Sequence, residues 1–298
     1  MSASKQPRKE TRSQAASQFN PGVRRTITIV NSRNVIKVSS KGEIVLIKEI
    51  IQAAAKFVAE SPLNKVGDLG GISIYAEPLF GFADADDPLF TKLKGPEVIG
   101  PHHLLPAEWL PGAKTVISYF LPFSSQVRQA NRIEGLPAKE WLYGRIEGEV
   151  FNGALKQVLV GQMIEAGGKT IVPMLDSRFT ISNRRSNWSE RHAAFIAGLG
   201  TFGLSKSLLT EKGCAGRYGS IITTLEMPVS ERPYQDIYQY CAFCEECIPR
   251  CPSGAIKADG KDTFVCSEYI DNEVKPKFTP RYGCGKCQTA VPCEYSLP

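Results

Sequence analysis

The sequence predicts an α+β fold: a mixed helix-and-strand domain followed by a small cysteine-rich one. Three observations predict it. Helical and extended segments alternate through the middle of the chain. After residue 232 the long periodic segments stop, and cysteine, proline and glycine become dense. The length of 298 residues and the 42% hydrophobic content suffice for one sizeable core with a smaller appended unit. The division expected is a basic tail over 1–25, an α/β domain over 26–232 and a cysteine-rich domain over 233–298.

The elements follow in order. Residues 44–59 have the apolar spacing of a buried or amphipathic helix, with Lys48, Glu49, Gln52 and Lys56 on the polar side. Residues 68–112 are rich in Gly, Pro and Asp and predict long loops with short elements. Residues 115–121 are β-branched and aromatic between Gly112 and Pro122, which predicts a strand. Residues 138–166 predict a long helix, broken or strained at Gly144, Gly148 and Gly153 and ended by Gly167-Gly168. Residues 169–175 predict a second strand. Residues 188–197 predict a helix capped by Asn187 or Ser189, and 219–226 a third strand.

The net charge is +6, but residues 1–25 carry six basic side chains (Lys5, Arg8, Lys9, Arg12, Arg24, Arg25) against Glu10 alone, so the body is close to neutral. That pattern reads as a solvated arm and not as the basic face of a nucleic-acid-binding domain. No apolar run approaches the ~20 residues of a membrane span. The basic start has no apolar stretch behind it apart from Thr26–Val30 after Arg24-Arg25, so no secretory signal is expected. A cytoplasmic protein is expected, and nine cysteines there argue for metal or redox chemistry over disulfides.

Cys241, Cys244, Cys247 and Cys251 stand in a Cys-x2-Cys-x2-Cys-x3-Cys-Pro run ending at Pro252. This is the bacterial ferredoxin spacing, in which three cysteines bind one [4Fe–4S] cluster and the fourth binds a second. Two-residue gaps wrap a loop around a cubane, and Pro252 suits the start of a helix leading away. Given that crossover, the first cluster is assigned Cys241, Cys244, Cys247 and Cys293, and the second Cys251, Cys266, Cys284 and Cys287. Zinc is the alternative, but these gaps followed by proline are atypical for it. Cys214 is left over and is expected to be a buried, inert thiol.

Gly198-Leu199-Gly200-Thr201-Phe202-Gly203 matches the Gly-x-Gly-x-x-Gly pattern of dinucleotide sites, with Glu226 as a late ribose acid. Such a site needs a strand before the glycines, and here a helix precedes them. A turn that lets backbone approach a neighbour or a cofactor is expected instead.

Together, Asp176-Ser177, the turn Ala197–Gly203, the run Cys241–Pro252, Cys266 and Tyr282-Gly283-Cys284-x2-Cys287 resemble the epoxyqueuosine reductases and reductive dehalogenases over about residues 70–298. The resemblance implies a nitroreductase-like cofactor domain, a ferredoxin-like double-cluster domain and an anaerobic oxidoreductase. It implies a base-off cobalamin between the α/β domain and the first cluster, contacted by Ser177, Gly198, Leu199, Gly200, Thr201 and Gly203. His102, His103 and His192 lie outside any Asp-x-His-x-x-Gly ligand motif, which agrees with that. FMN is the alternative cofactor. Electrons from an external carrier of the ferredoxin or flavodoxin class enter at the Cys251 quartet and leave from the Cys241 quartet. Asp176 becomes the proton donor to a small-molecule substrate, its alternative being a cap on the turn. No tyrosine lies between Asp176 and Gly203 to act as the dehalogenase acid.

Three departures stand out. The chain ends at Pro298, where epoxyqueuosine reductases continue into helical repeats, so tRNA is not expected as the substrate, though a minimal epoxyqueuosine reductase stays in view. The stretch Phe179–Ser189 is long, and with its neighbours it presents Arg178, Arg184, Arg185 and Arg191, either as an anion clamp or as a solvated loop. The last cysteine follows as Cys287-x5-Cys293, which makes Cys293 the least regular ligand. A non-catalytic electron-transfer module is the remaining alternative.

Overall fold

The computed structural model describes residues 27–31, 34–38 and 41–298. The basic tail expected over 1–25 lies outside the described residues. The strands β1 (Ile27–Asn31) and β2 (Asn34–Val38) pair as an antiparallel hairpin. They lead into helix α1 (Lys41–Glu60), whose Ile47, Ile50, Ala54 and Val58 form its buried stripe.

The central sheet is built from β3 (Leu79–Asp84), β4 (Thr115–Pro122), β5 (Thr170–Ile171) and, late in the chain, Gly216–Thr223. The last of these sits between β4 and β5, and all pairs are antiparallel. Each strand alternates sides. Phe80, Phe82, Ile117, Tyr119, Leu121 and Ile221 pack against α1 and the long helix α2 (Lys139–Glu165). Ala83, Val116 and Ile222 face the other way, into a second core with Trp109 and Trp188. Full burial of each large apolar side chain contributes about 1.5–3 kcal/mol.

Three local departures from the expected elements have physical causes. Strand β3 was not anticipated, because its apolar run is buried on both faces and shows no alternation of apolar and polar residues. Helix α2 runs unbroken through its glycines; Gly148 lies where a Cβ would come within 2.5 Å of the Tyr75 hydroxyl, so the glycine serves close packing. The strand expected over 169–175 stops at Ile171, because Pro173 turns the chain into a short 3₁₀ segment, Pro173–Leu175.

After the small hairpin β6 (Ile181–Ser182) and β7 (Arg185–Ser186), helix α3 (Glu190–Ile196) is capped by Ser189, whose hydroxyl accepts from the His192 amide. The pair β8 (Gly200–Phe202) and β9 (Leu208–Thr210) precedes β10 (Gly216–Thr223), the strand inserted in the sheet. Beyond residue 232 the chain forms turns, the two-residue hairpin β11 (Ile256–Lys257) and β12 (Gly260–Lys261), and helix α4 (Thr263–Tyr269).

The C-terminal segment is stitched back onto the rest. The Cys214 and Ala215 amides donate to the Cys293 and Glu294 carbonyls at 2.9 and 3.2 Å. The buried Glu294 carboxylate takes Arg128 at 2.9 Å and Arg132 at 3.0 Å. The buried Lys286 ammonium donates to the carbonyls of Asn131 and Ile133. Among the described residues no helix is long and apolar enough to cross a membrane.

Candidate redox centre and adjoining cavity

Four segments bring the cysteines together. The Cys241 loop is held at its entry by the glycine turn: the Phe202 amide donates to the Ile237 carbonyl at 2.7 Å, and the Tyr240 amide to Thr201 Oγ1 at 2.8 Å. A Cβ on Gly203 would lie 2.7 Å from the Leu209 side chain and 3.7 Å from Cys241 Sγ. The turn therefore works by close approach: Gly200 and Gly203 come against Leu209, and Gly198 comes against the Glu231 carbonyl in the linker to the cysteine loop. Gly198, Leu199, Gly200, Thr201 and Gly203 are buried in that contact, and Ser177 lies exposed on a separate turn. Phe202 is the turn residue that reaches an open cavity.

Within the loop, Phe243 and Glu245 adopt left-handed backbone with φ of 48° and 61°, and Cys244 is exposed. Burial, with the Cys287, Cys293 and Cys241 thiols nearby, pushes the Cys247 thiol up to about 12. Pro252 does not start a helix as expected. The chain turns at once, with Gly254 at φ 63° and the Ser253 hydroxyl accepting from the Ala255 amide, and enters β11.

Cys251, Cys266, Cys284 and Cys287 line a single cavity of about 170 Å³. Cys266 projects from α4, which Asp262 caps through the Phe264 and Val265 amides. Lys261 Nζ stands 3.8 Å from Cys287 Sγ, and Ser253 Oγ 3.3 Å from Cys251 Sγ. Among the described residues no three His, Cys, Asp or Glu side chains converge at the spacing of a single ion. Sulfurs around one zinc would lie ~3.8 Å apart, given Zn–S of ~2.3 Å. Four cysteine side chains walling one cavity supply the all-thiolate donor set that a [4Fe–4S] cluster takes. Burial raises the Cys284 thiol to about 12, and bound metal would reverse that by deprotonating it.

Cys214 is buried, but it is not isolated. Its Sγ lies 3.9 Å from Cys293 Sγ, so the leftover thiol touches an assigned ligand.

The larger cavity, about 460 Å³, opens beside this centre. The hairpin β6–β7 supplies Arg184 and Arg185, α3 supplies Arg191 and His192, and the turn after β8 supplies Lys206. Val98, Ile99, Phe202, Ile237 and Tyr238 give it apolar walls. Arg191 also lines the cysteine cavity, so the two spaces meet at its guanidinium. A third space of about 420 Å³ adjoins through Lys206 and Tyr238. Burial and the neighbouring Arg191 push the His192 imidazole down to about 3, and its Nδ1 lies 2.7 Å from Ser189 Oγ. The Cys251 quartet adjoins the large cavity at Arg191, and the Cys241 loop carries the exposed Cys244 while a Cβ on Gly203 would lie close to Cys241 Sγ.

Asp176 takes the capping arrangement. Its Oδ1 accepts from the Arg178 amide at 2.9 Å and from Arg178 Nε at 2.8 Å. The Arg178 guanidinium holds the Asp176 carboxyl below its ordinary value, opposite to what a proton donor needs. Arg178 is itself fixed by the Glu108 and Trp109 carbonyls and lies over the Trp109 ring. Of the four arginines singled out in the sequence, Arg184, Arg185 and Arg191 face the cavity and Arg178 does not. Lys206, Lys261 and the Cys214–Cys293 contact escaped sequence reasoning, because none belongs to a motif and each depends on a partner distant in the chain.

No family model matches the chain. It is similar to the epoxyqueuosine reductase of Vibrio cholerae, 31% identical over 213 residues that make up 65% of this chain and 53% of that protein. It is 28% identical to the epoxyqueuosine reductase of Bacillus cereus over 194 residues, 61% of this chain and 49% of the relative. The chain therefore spans about half the length of the curated relatives it matches. A crystal structure of selenomethionine-labelled epoxyqueuosine reductase superposes with a TM-score of 0.50 at 19% identity, over 86% of this chain and 68% of that one. A catabolic reductive dehalogenase superposes at 0.53 and 15% identity, over 86% of this chain and 37% of that one. These superpositions show likeness of fold. The chain resembles the oxidoreductases named epoxyqueuosine reductase in sequence, and it shares its fold with them and with reductive dehalogenases.

Proposed function

We propose that this chain is an iron–sulfur reductase that passes single electrons inward through two [4Fe–4S] clusters to a corrinoid in the large cavity, where a small substrate is reduced. Residues 26–232 act as a nitroreductase-like cofactor domain and 233–298 as a ferredoxin-like one. One observation carries the proposal: four cysteines from separate segments wall one cavity, and that cavity meets the larger one at Arg191. Cys251, Cys266, Cys284 and Cys287 would hold the inner cluster, and Cys241, Cys244, Cys247 and Cys293 the outer one. When bound, these groups supply the one-electron chemistry, and the protein supplies orientation and electrostatics.

The residues present fit that assignment. Lys261 and Arg191 bring positive charge to the inner quartet, which offsets thiolate charge. Val98, Ile99, Phe202 and Ile237 give the large cavity an apolar wall opposite its cationic side chains. Its mix of apolar wall and cationic side chains suits a large amphiphilic cofactor with an anionic tail, a corrinoid first and FMN as the replacement. An external one-electron donor would approach the exposed Cys244 edge. A role for Asp176 as the acid requires its pair with Arg178 to open. An Asp176→Asn variant with full clusters and unchanged turnover would remove that role.

The test is selective ligand removal. In anaerobically prepared protein, Cys266→Ala should abolish the EPR signal of the inner cluster and block reduction of bound cofactor. Cys244→Ala should remove the outer signal and slow reduction by the external donor. Loss of both signals together in each variant, or of neither, would overturn the assignment.

A second reading is favoured by the name the relatives carry. The chain would then reduce epoxyqueuosine in tRNA, and the expectation against tRNA is set aside as a premise. That reading predicts tRNA binding that weakens steeply with salt.

A further inference from the structure

Three cationic side chains from two elements point into the large cavity, and Lys206 adds a fourth from a separate turn. Arg185 is anchored by the Pro96 and Ile99 carbonyls at 3.2 and 3.0 Å. Arg191 donates to the Lys206 carbonyl. Arg184 lies over the Phe264 ring at 5.2 Å. These contacts fix the guanidinium groups in place and leave most of their five N–H donors each unspent. Among the described ion pairs none includes Arg184, Arg185, Arg191 or Lys206. Glu97 is the one carboxylate lining the cavity. Arg184, Arg185, Arg191 and Lys206 are all exposed to solvent at the cavity, so a charged ligand can reach them directly.

We propose that the occupant of this cavity carries an anionic group, a phosphate or a carboxylate, held by Arg184, Arg185 and Arg191 at the mouth of the cysteine cavity. The proposal deepens the reductase reading and rests on it only for what the anion is attached to. The planar guanidinium fork matches phosphate and carboxylate geometry, which Lys206 supplements as a point charge. An anion seated on Arg191 places the rest of its molecule next to the Cys251 quartet. Two sources share this chemistry: the phosphate of the bound cofactor, or the charged group of the substrate.

The experiment titrates inorganic phosphate into the full-length, cluster-reconstituted protein by calorimetry, with iron content measured on the same samples. Saturable binding is expected, weakened on the order of 10- to 100-fold in Arg185→Gln and in Arg191→Gln. Arg178→Gln, outside the cavity, should bind like the parent. Absence of saturable binding, or equal binding in both cavity variants at full iron content, would overturn the proposal. Repeating the titration after loading with hydroxocobalamin or FMN separates the sources. Phosphate that still binds assigns the site to the substrate, and phosphate excluded by the cofactor assigns it to the cofactor's own phosphate. Missing iron in the parent would count against the reductase reading alone, because the phosphate result is read independently of it.

Discussion

The sheet domain and the cysteine-rich region are held together by different means. The sheet is covered on both faces, and Phe80, Phe82, Tyr119 and Phe151 are wholly or almost wholly buried. Beyond residue 232 the buried apolar side chains reduce to Tyr234, Ala255, Ile256, Val274 and Val291. Ordering a residue costs about 1–2 kcal/mol in backbone entropy, which so few apolar contacts cannot offset. The cysteine-rich region therefore depends on its stitches to the sheet domain, and under the proposed function on bound clusters as well.

The largest effect should come from removing the metal. Chelation of iron is expected to abolish amide protection across residues 241–290 while β3, β4 and β10 stay protected, as measured by hydrogen exchange. Equal protection with and without iron would erase the contrast between the two regions.

Next in size are the buried ion pairs. Lys156→Met leaves the Glu190 carboxylate, 3.6 Å away and buried, without its cation, and Glu294→Ala strands Arg128 beside the C-terminal segment. Each should cost about 3–5 kcal/mol in denaturant unfolding. The first should lower the stability of the sheet domain and the second that of the C-terminal segment. Glu294 also sets a pH dependence. Burial raises its pKa, but the bonds from Arg132 and the Ala290 amide outweigh that and hold it below the ordinary value. Its contribution is complete above the unfolded value of about 4.3 and is lost as pH falls through the lowered native value. Acid should therefore loosen the C-terminal segment in the parent more than in Glu294→Gln.

The smallest effect concerns Cys214. Its thiol touches Cys293, and a hydrogen bond to a ligand sulfur stabilises the reduced cluster. Cys214→Ala should lower the potential of the outer cluster by ~40 mV, taking ~1 kcal/mol for the bond. Redox titration followed by EPR checks this, and the inner cluster should stay unchanged.

Much of the cysteine region was legible in the sequence, because thiolate spacing is a local requirement. The partition of Cys251, Cys266, Cys284 and Cys287 follows from the crossover rule, and the structure gathers those four around one cavity. The strand at 115–122 was legible through its composition and flanking turns, the strand expected over 219–226 begins three residues earlier at Gly216 and ends at Thr223, and helix α2 stands where expected but unbroken at its glycines. Strand β3 was not, because a doubly buried strand carries no alternation. The cationic cavity depends on elements that only the fold brings together, such as Arg191 with Lys206. No spacing rule encodes such contacts. The cap on Asp176, in contrast, is local, from Arg178 two residues on, and leaves both readings of an Asp-Ser turn open in the sequence.

The central claim is that eight cysteines hold two [4Fe–4S] clusters, the inner one beside the large cavity. Anaerobic reconstitution with iron and sulfide, followed by iron analysis, EPR and addition of hydroxocobalamin, tests it most directly. About eight irons per chain, two interacting reduced signals and a retained base-off corrinoid are expected. Four irons or fewer, or zinc in their place, would contradict it.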